Sequence, residues 1–206
     1  MQKNKFLLVL AFTFVACKPT DTAPISLKDL AFIVSGGSKT VEVIDLKNQE
    51  VVNTYSITSE SNRFPHHIYL SSDNSHLAIA NPAYDFSFGH GGLHGKVFEG
   101  GIVVLDAATG KKIHGFDVPY ANHNAVFSPN NSQIWTAGYS HSGRGYVFNK
   151  ENAKLIKELQ FDSDPSELFF TKDGQYAVVR SGESPFLQFM DVQSMELIRA
   201  VKVDLS

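Results

Sequence analysis

Histidines are the residues of this sequence whose spacing most suggests chemistry. His66 and His67 are adjacent in the stretch "NRFPHHIYL", and His123 follows His66 after 57 residues. His90 and His94 lie in the glycine-rich stretch "GHGGLHG". Neutral imidazole is a common ligand of zinc, copper, iron and nickel, and three or four imidazoles that converge on one point form a metal site. Whether these histidines converge depends on the fold that positions them.

Common catalytic motifs do not occur in the chain. It has no G-x-S-x-G nucleophile motif, no H-E-x-x-H metal motif and no G-x-G-x-x-G phosphate loop, and "GHGGLHG" does not match the last of these. Cys17 is the only cysteine, which excludes an internal disulfide and a C-x-x-C-H haem attachment. We therefore expect a protein that binds a ligand rather than one that catalyses with its own side chains.

The N-terminal stretch "MQKNKFLLVLAFTFVAC" differs from the rest of the chain. Lys3 and Lys5 precede an apolar run over residues 6–16, and Cys17 follows it. Eleven apolar residues are too few to span a bilayer but suit the core of a signal peptide. The stretch resembles the signal peptide of bacterial lipoproteins. That resemblance implies a signal peptide over 1–16, lipid on Cys17 and a tether over 17–27; an ordinary secretory signal is the alternative.

Composition limits the classes of partner. The chain has 206 residues, of which 43% are hydrophobic, enough for one domain with a core over 28–206. Its formal charge is −3, and no basic stripe of the kind that nucleic acid requires is found. We expect no nucleic-acid partner. Membrane lipid attached through Cys17 is the expected contact with the cell envelope, in a protein that faces the periplasm or the cell exterior.

Two sequence units recur along the chain. The first is a strand that ends in Asp or Asn, a polar turn and a second strand; its anchor residues are Asp45, Asp106, Asn149 and Asp191, at intervals of 61, 43 and 42 residues. The second unit is strand, turn, strand, with the turns "SSDNS", "SPNNS" and "TKDGQ". Together they give four short strands per 42 to 43 residues, the period of a β-propeller blade.

These units resemble the YVTN family of propeller repeats, in which the pattern P-H-x-x-x-x-S-P-D-G opens a blade and the pattern V-x-V-I-D, followed by a polar turn, closes it. The resemblance implies an all-β fold of about four blades, each a four-stranded antiparallel sheet. The strands expected are 31–35, 41–45 and 51–57 in blade 1; 67–72, 76–81, 101–106 and 112–118 in blade 2; 123–128, 133–138, 144–149 and 155–161 in blade 3; and 166–171, 175–180, 186–191 and 196–203 in blade 4. Blade 1 lacks an inner strand, so an incomplete ring, a homodimer that completes the ring and a shortened copy of a longer gene are the alternatives.

Blade geometry places most of the histidines on one face, which we call the top face. His66 and His123 begin equivalent inner strands there, and the 18 surplus residues of the 61-residue interval form a long loop on the same face. We expect His66, His123, His90 and His94 as ligands of copper or zinc. Since side chains alternate along a strand, His67 is expected to point away from His66. The remaining residues assigned to the binding face are His67, His141, Glu167 and Glu183.

Three functions remain open from the sequence. The first is a lipid-anchored extracytoplasmic propeller that acts as a binding or scaffold module, with an unidentified protein or small molecule on its top face. The second is a metal- or cofactor-dependent redox protein with a histidine-rich site on that face. The third is a partial copy without independent function. Structural histidines that only bond the backbone near the central channel are the alternative to a metal site.

Overall fold

The computed structural model describes residues 26–57, 61–139, 143–161, 164–182 and 184–203. These residues form fifteen strands, and each strand pairs antiparallel with the next one in the chain within its sheet. The strands are grouped into four sheets, one with three strands and three with four. The prediction of an all-β propeller-like fold with four blades is therefore confirmed, and among the described residues blade 1 has three strands, as predicted.

The strand bounds follow the predicted repeat. Blade 1 contains β1 (Leu30–Ser35), β2 (Thr40–Asp45) and β3 (Glu50–Ser56). Blade 2 contains β4 (Ile68–Leu70), β5 (His76–Ala80), β6 (Gly100–Asp106) and β7 (Lys112–Val118). Blade 3 contains β8 (Val126–Phe127), β9 (Gln133–Gly138), β10 (Arg144–Asn149) and β11 (Leu155–Gln160). Blade 4 contains β12 (Glu167–Phe170), β13 (Tyr176–Arg180), β14 (Phe186–Asp191) and β15 (Glu196–Lys202).

Helical structure in the described residues is confined to three short 3₁₀ turns. They are Leu27–Asp29, Phe86–Phe88 and Gly91–Leu93. In the part of the chain that the structure describes, no helix has the length and apolar character needed to cross a membrane. The second and third turns lie in the long loop between β5 and β6, whose residues 81–99 include two of the candidate ligands.

The repeated polar residues stabilise the turns between strands. Asp73 accepts a hydrogen bond from the backbone N–H of Ser75 at 3.0 Å, and Asn130 accepts the equivalent bond from Ser132 at 3.1 Å. In the other recurring turn, Asp45 accepts from the backbone N–H of Lys47 at 2.8 Å. Side-chain oxygens at these positions hold the backbone in a tight turn. The repeat residues that mark the period are thus structural and do not contribute to the candidate site.

Apolar side chains between adjacent sheets form the core. Residues of blades 1 and 2, of blades 2 and 3, and of blades 3 and 4 pack into three buried clusters. Trp135 is fully buried between blades 3 and 4. The Tyr55 hydroxyl donates hydrogen bonds to the carbonyls of Ala107 and Ala108, at 3.1 and 3.0 Å, and so joins blade 1 to blade 2. Packing between sheets fixes the inner strands relative to one another, and these strands carry the candidate site.

Candidate metal site

Three histidines from two blades meet at the start of the inner strands. His66 and His67 precede β4, and His123 precedes β8. One ligand nitrogen from each of the three rings lies within 4.8 Å of the other two. We call these three residues the histidine triad. Nitrogens that lie this close can reach a common metal ion at the usual distance of about 2.0–2.1 Å after small adjustments.

A β-bulge brings His66 and His67 to the same side of the strand. The backbone N–H of His66 donates to the carbonyl of Ala80, and the N–H of Ala80 donates to the carbonyl of His67. His66 and His67 therefore both lie opposite Ala80, and this extra residue breaks the alternation of side chains along the strand. The two rings stack with their centroids 4.3 Å apart. The expectation that His67 points away from His66 is wrong, because alternation holds only in a regular strand.

Buried amide side chains hold His123 in place. The Asn122 side-chain oxygen accepts a hydrogen bond from the backbone N–H of Gly101 at 3.0 Å, and its amide nitrogen donates to the Thr136 hydroxyl at 3.1 Å. Asn122 has no exposed surface. Since one bond joins blade 2 to blade 3, the position of His123 relative to His66 and His67 is determined by the packing of these blades.

Glu167 of blade 4 supports the triad from behind. Nδ1 of His123 lies 2.8 Å from Oε1 of Glu167, and the side-chain amide of Asn124 donates to Oε2 at 3.0 Å. A carboxylate on one ring nitrogen fixes the tautomer and leaves the other nitrogen available to a metal ion. Burial raises the pKa of Glu167, but the hydrogen bond from His123 and the charges of the nearby imidazoles outweigh burial, and the pKa lies below its ordinary value. Glu167 is therefore ionised at neutral pH.

His67 has a buried ring nitrogen without a hydrogen-bond partner in the described part of the chain. Its Nδ1 lies 3.4 Å from Oε1 of Glu167, but this contact lacks the geometry of a hydrogen bond. A buried polar atom without a partner costs free energy, typically about 1–3 kcal/mol. A metal ion within the triad would satisfy this nitrogen, so its position favours a ligand role.

Two of the three triad imidazoles, those of His66 and His67, are poised in the neutral form that binds metal. Burial, together with the charges of His123 and His67, lowers the pKa of His66 to about 4. Burial also lowers the pKa values of His67 and His90 below their ordinary value. Metal ions compete with protons for imidazole nitrogens, and a lowered pKa reduces that competition at neutral pH. Protons therefore compete little for the nitrogens of His66, His67 and His90 at neutral pH.

The long loop places His90 and Phe86 against the triad. Nε2 of His90 lies 2.9 Å from Nε2 of His123. The buried Phe86 ring lies 5.0 Å from the ring of His66 and 4.4 Å from that of His123, measured between centroids. The Tyr139 ring stacks on His90 at 5.3 Å. The loop thus adds a fourth imidazole and an aromatic wall to the site.

The site opens towards blade 1. A cleft of about 400 Å³ runs beside His66 and His67 and is lined by Phe32, Ile33, Val34, Ile68 and Tyr69. A second cleft, of about 410 Å³, adjoins His66 beneath the loop and includes Pro65 and Phe86. A small molecule in the first cleft would contact His66 and His67, and one in the second would contact His66, so these two imidazoles are accessible from solvent.

Only some of the site residues predicted from sequence lie at the candidate site in the structure. His66, His123 and His90 lie together, and His67 and Glu167 join them. His94 is exposed at the end of the third 3₁₀ turn and is not among the rings that contact the triad in the described residues. Cys17, His141 and Glu183 lie outside the described residues. The aromatic contacts of Phe86 and Tyr139 were not predicted, and no local sequence signal indicates them.

The four antiparallel sheets and the top-face imidazoles define a propeller-like protein with a candidate metal site. No family model matches the chain, and no curated protein matches it by sequence. Among solved structures, the chain is similar to Kuenenia stuttgartiensis hydrazine synthase, with a TM-score of 0.68 and 14% identity. The similarity covers 94% of this chain and 53% of the other, so this chain spans about half the length of the protein it matches. At this identity the similarity concerns the fold alone.

Proposed function

We propose that the chain is an extracytoplasmic, lipid-anchored propeller of the YVTN type that binds a transition-metal ion through its top face. The observation that carries this proposal is the histidine triad, in which three ligand nitrogens lie within 4.8 Å of one another. The ionised Glu167 behind His123 supports it, since metal-ligating histidines usually donate their second N–H to a carboxylate or carbonyl.

The donor set favours zinc or copper. Imidazole nitrogens suit these ions, whereas magnesium and calcium prefer oxygen ligands. A bound zinc ion would make the propeller a metal-binding or ligand-presenting module, with the clefts beside His66 giving access to the ion. A bound copper ion would instead support the redox alternative. The choice between the two ions is therefore also the choice between the two functions.

Titration of the full chain in detergent tests the metal site. We expect one equivalent of Zn²⁺ or Cu²⁺ to bind per chain at neutral pH, because the triad forms one site. Isothermal titration calorimetry gives the stoichiometry, and metal analysis of the protein purified without added metal identifies the native ion. Absence of stoichiometric binding of both ions would overturn the proposal.

The lipid anchor is tested separately by changing Cys17 to serine. Because the thiol is the acceptor of the lipid, the variant is expected to remain uncut after residue 16 and unlipidated. Intact-mass spectrometry and membrane fractionation report these two properties in the wild type and the variant. Normal processing and membrane retention of the variant would show that residues 1–16 are not a lipoprotein signal peptide.

A further inference from the structure

The hydrogen bonds of the two ring nitrogens of His123 determine how His90 can interact with it. Glu167 is ionised and can only accept, so Nδ1 of His123, 2.8 Å from it, carries the proton. In the neutral form of His123, Nε2 bears a lone pair. Nε2 of His90 lies 2.9 Å from that atom and donates its proton to it in this form.

A metal ion at the triad competes for the same lone pair. Coordination by Nε2 of His123 excludes the hydrogen bond from His90, because this nitrogen has one lone pair. His90 is neutral, so its proton can move to Nδ1 through solvent, which reaches this exposed residue. Nε2 of His90 then offers a lone pair to the ion. No net proton is gained or lost by His90 in this exchange.

Distances favour His90 as a ligand once the ion is present. Two ligand nitrogens at about 2.0–2.1 Å from a tetrahedral zinc ion lie about 3.3 Å apart. The two Nε2 atoms are 2.9 Å apart in the structure. A shift of a few tenths of an ångström therefore brings these two nitrogens to the spacing of two ligands. His90 must also move towards His66 and His67, because it lies outside the group whose ligand atoms are all within 4.8 Å of one another.

The loop holds His90 near this position but can open. Leu93 is buried beside Phe86, and the Tyr84 hydroxyl donates to the carbonyl of Gly89 at 2.6 Å. Gly89 and Gly95 flank the turn that carries His90, with φ of 75° and 70°, and neither has an atom within 4 Å of where a Cβ would lie. Glycine adopts this backbone readily, so rotation at these two positions meets little steric resistance.

We infer that His90 is the fourth ligand of the metal site and that the bound ion ties the loop over residues 81–99 to the inner strands. The inference rests on the proposed metal-binding function. Without the ion, the single hydrogen bond between the two Nε2 atoms joins His90 to His123. In the metal-bound protein two coordinate bonds through the ion replace it, and the loop opens less often.

Limited trypsin digestion measures this effect at Lys96, which is exposed in the same loop and precedes Val97, 68% exposed. With saturating Zn²⁺, cleavage after Lys96 in the wild-type full chain is expected to slow by about tenfold, because the rate of cleavage depends on the fraction of molecules in which the loop is open. The His90→Ala variant is expected to bind Zn²⁺ at least about 100-fold more weakly, because it lacks a ligand, and, when saturated, to be cleaved as fast as without Zn²⁺. Mass spectrometry follows the Lys96–Val97 bond.

A loop variant and a binding measurement separate the outcomes. Phe88 is 82% exposed in the same loop, so Phe88→Ala is expected to keep the protection by Zn²⁺. Calorimetry on the same samples reports whether Zn²⁺ binds. If the wild type binds no Zn²⁺, the proposed function fails. If the wild type binds Zn²⁺ but cleavage is unchanged, or if saturated His90→Ala is protected like the wild type, then His90 is not a ligand.

Discussion

The His123→Ala variant is expected to bind Zn²⁺ or Cu²⁺ at least about 100-fold more weakly than the wild type, a loss larger than that for a residue that only supports a ligand. His123 provides one of the three triad nitrogens, and it is also the residue through which Glu167 acts on the site. Its removal eliminates a ligand and the carboxylate contact that supports it. Competition titration against a chromophoric chelator measures the affinities of both proteins.

Two further variants show whether the effect comes from the site. His114 lies in β7, outside the triad, and His114→Ala is expected to keep wild-type affinity. Glu167→Gln keeps an oxygen that can accept from Nδ1 of His123 but removes the charge, and is expected to weaken binding by about 10- to 100-fold. Retention of affinity within twofold by His123→Ala, with its fold intact by circular dichroism, would mean that the ion binds elsewhere.

The second large effect is on stability in acid. The metal-free protein is expected to become less stable as the pH falls from about 6.5 to about 4. In this interval His66 takes up a proton in the unfolded chain but not in the folded one, because its pKa is lowered from 6.5 to about 4 by burial and by the neighbouring imidazoles. Acidification therefore favours unfolding, and the loss from His66 is complete near pH 4. His67 and His90, whose pKa values are also lowered, contribute in the same direction.

The His66→Phe variant isolates this contribution. After a discount for solvent screening of a half-buried group, His66 alone accounts for roughly 1–2 kcal/mol of the loss. This corresponds to a decrease in Tm of about 3–6 °C for a domain of this size. Thermal unfolding is followed by circular dichroism with chelator present, and the wild-type decrease should exceed that of His66→Phe by this amount. Equal decreases in the two proteins would show that protonation of His66 is not linked to unfolding.

The fold was accessible from sequence because its determinants are local. Turn residues such as Asp73 and Asn130 bond their own neighbours, so the residues that shape a turn are adjacent in sequence. Strand alternation and the repeat period then place each strand in its blade. The inner strands are shorter than predicted: β4 covers Ile68–Leu70 where 67–72 was expected, since the bulge at His66 and His67 delays regular pairing.

The candidate site was only partly accessible from sequence, because contacts between blades position its side chains. His66 and His123 occupy equivalent positions in consecutive repeats, which correctly predicted that they lie near each other. The bulge opposite Ala80, which turns His67 towards them, has no local sequence signal. The path of the loop, which brings His90 rather than His94 to the triad, depends on the burial of Phe86 and Leu93. The lipid anchor and the homodimer stay predictions.

The distribution of the site over three blades has a consequence for assembly. His66, His67 and His90 belong to blade 2, His123 to blade 3 and Glu167 to blade 4, while every strand pairs only within its own blade. The sheet of each blade can form from contacts between strands that are adjacent in sequence. The ion meets its full set of ligands only when the blades have docked. By mass action, an ion at about 100 times its Kd adds about 2.7 kcal/mol to the docked state. The ion would therefore link two sheets that are not joined by strand pairing. The concentration of the ion would determine how often neighbouring blades separate.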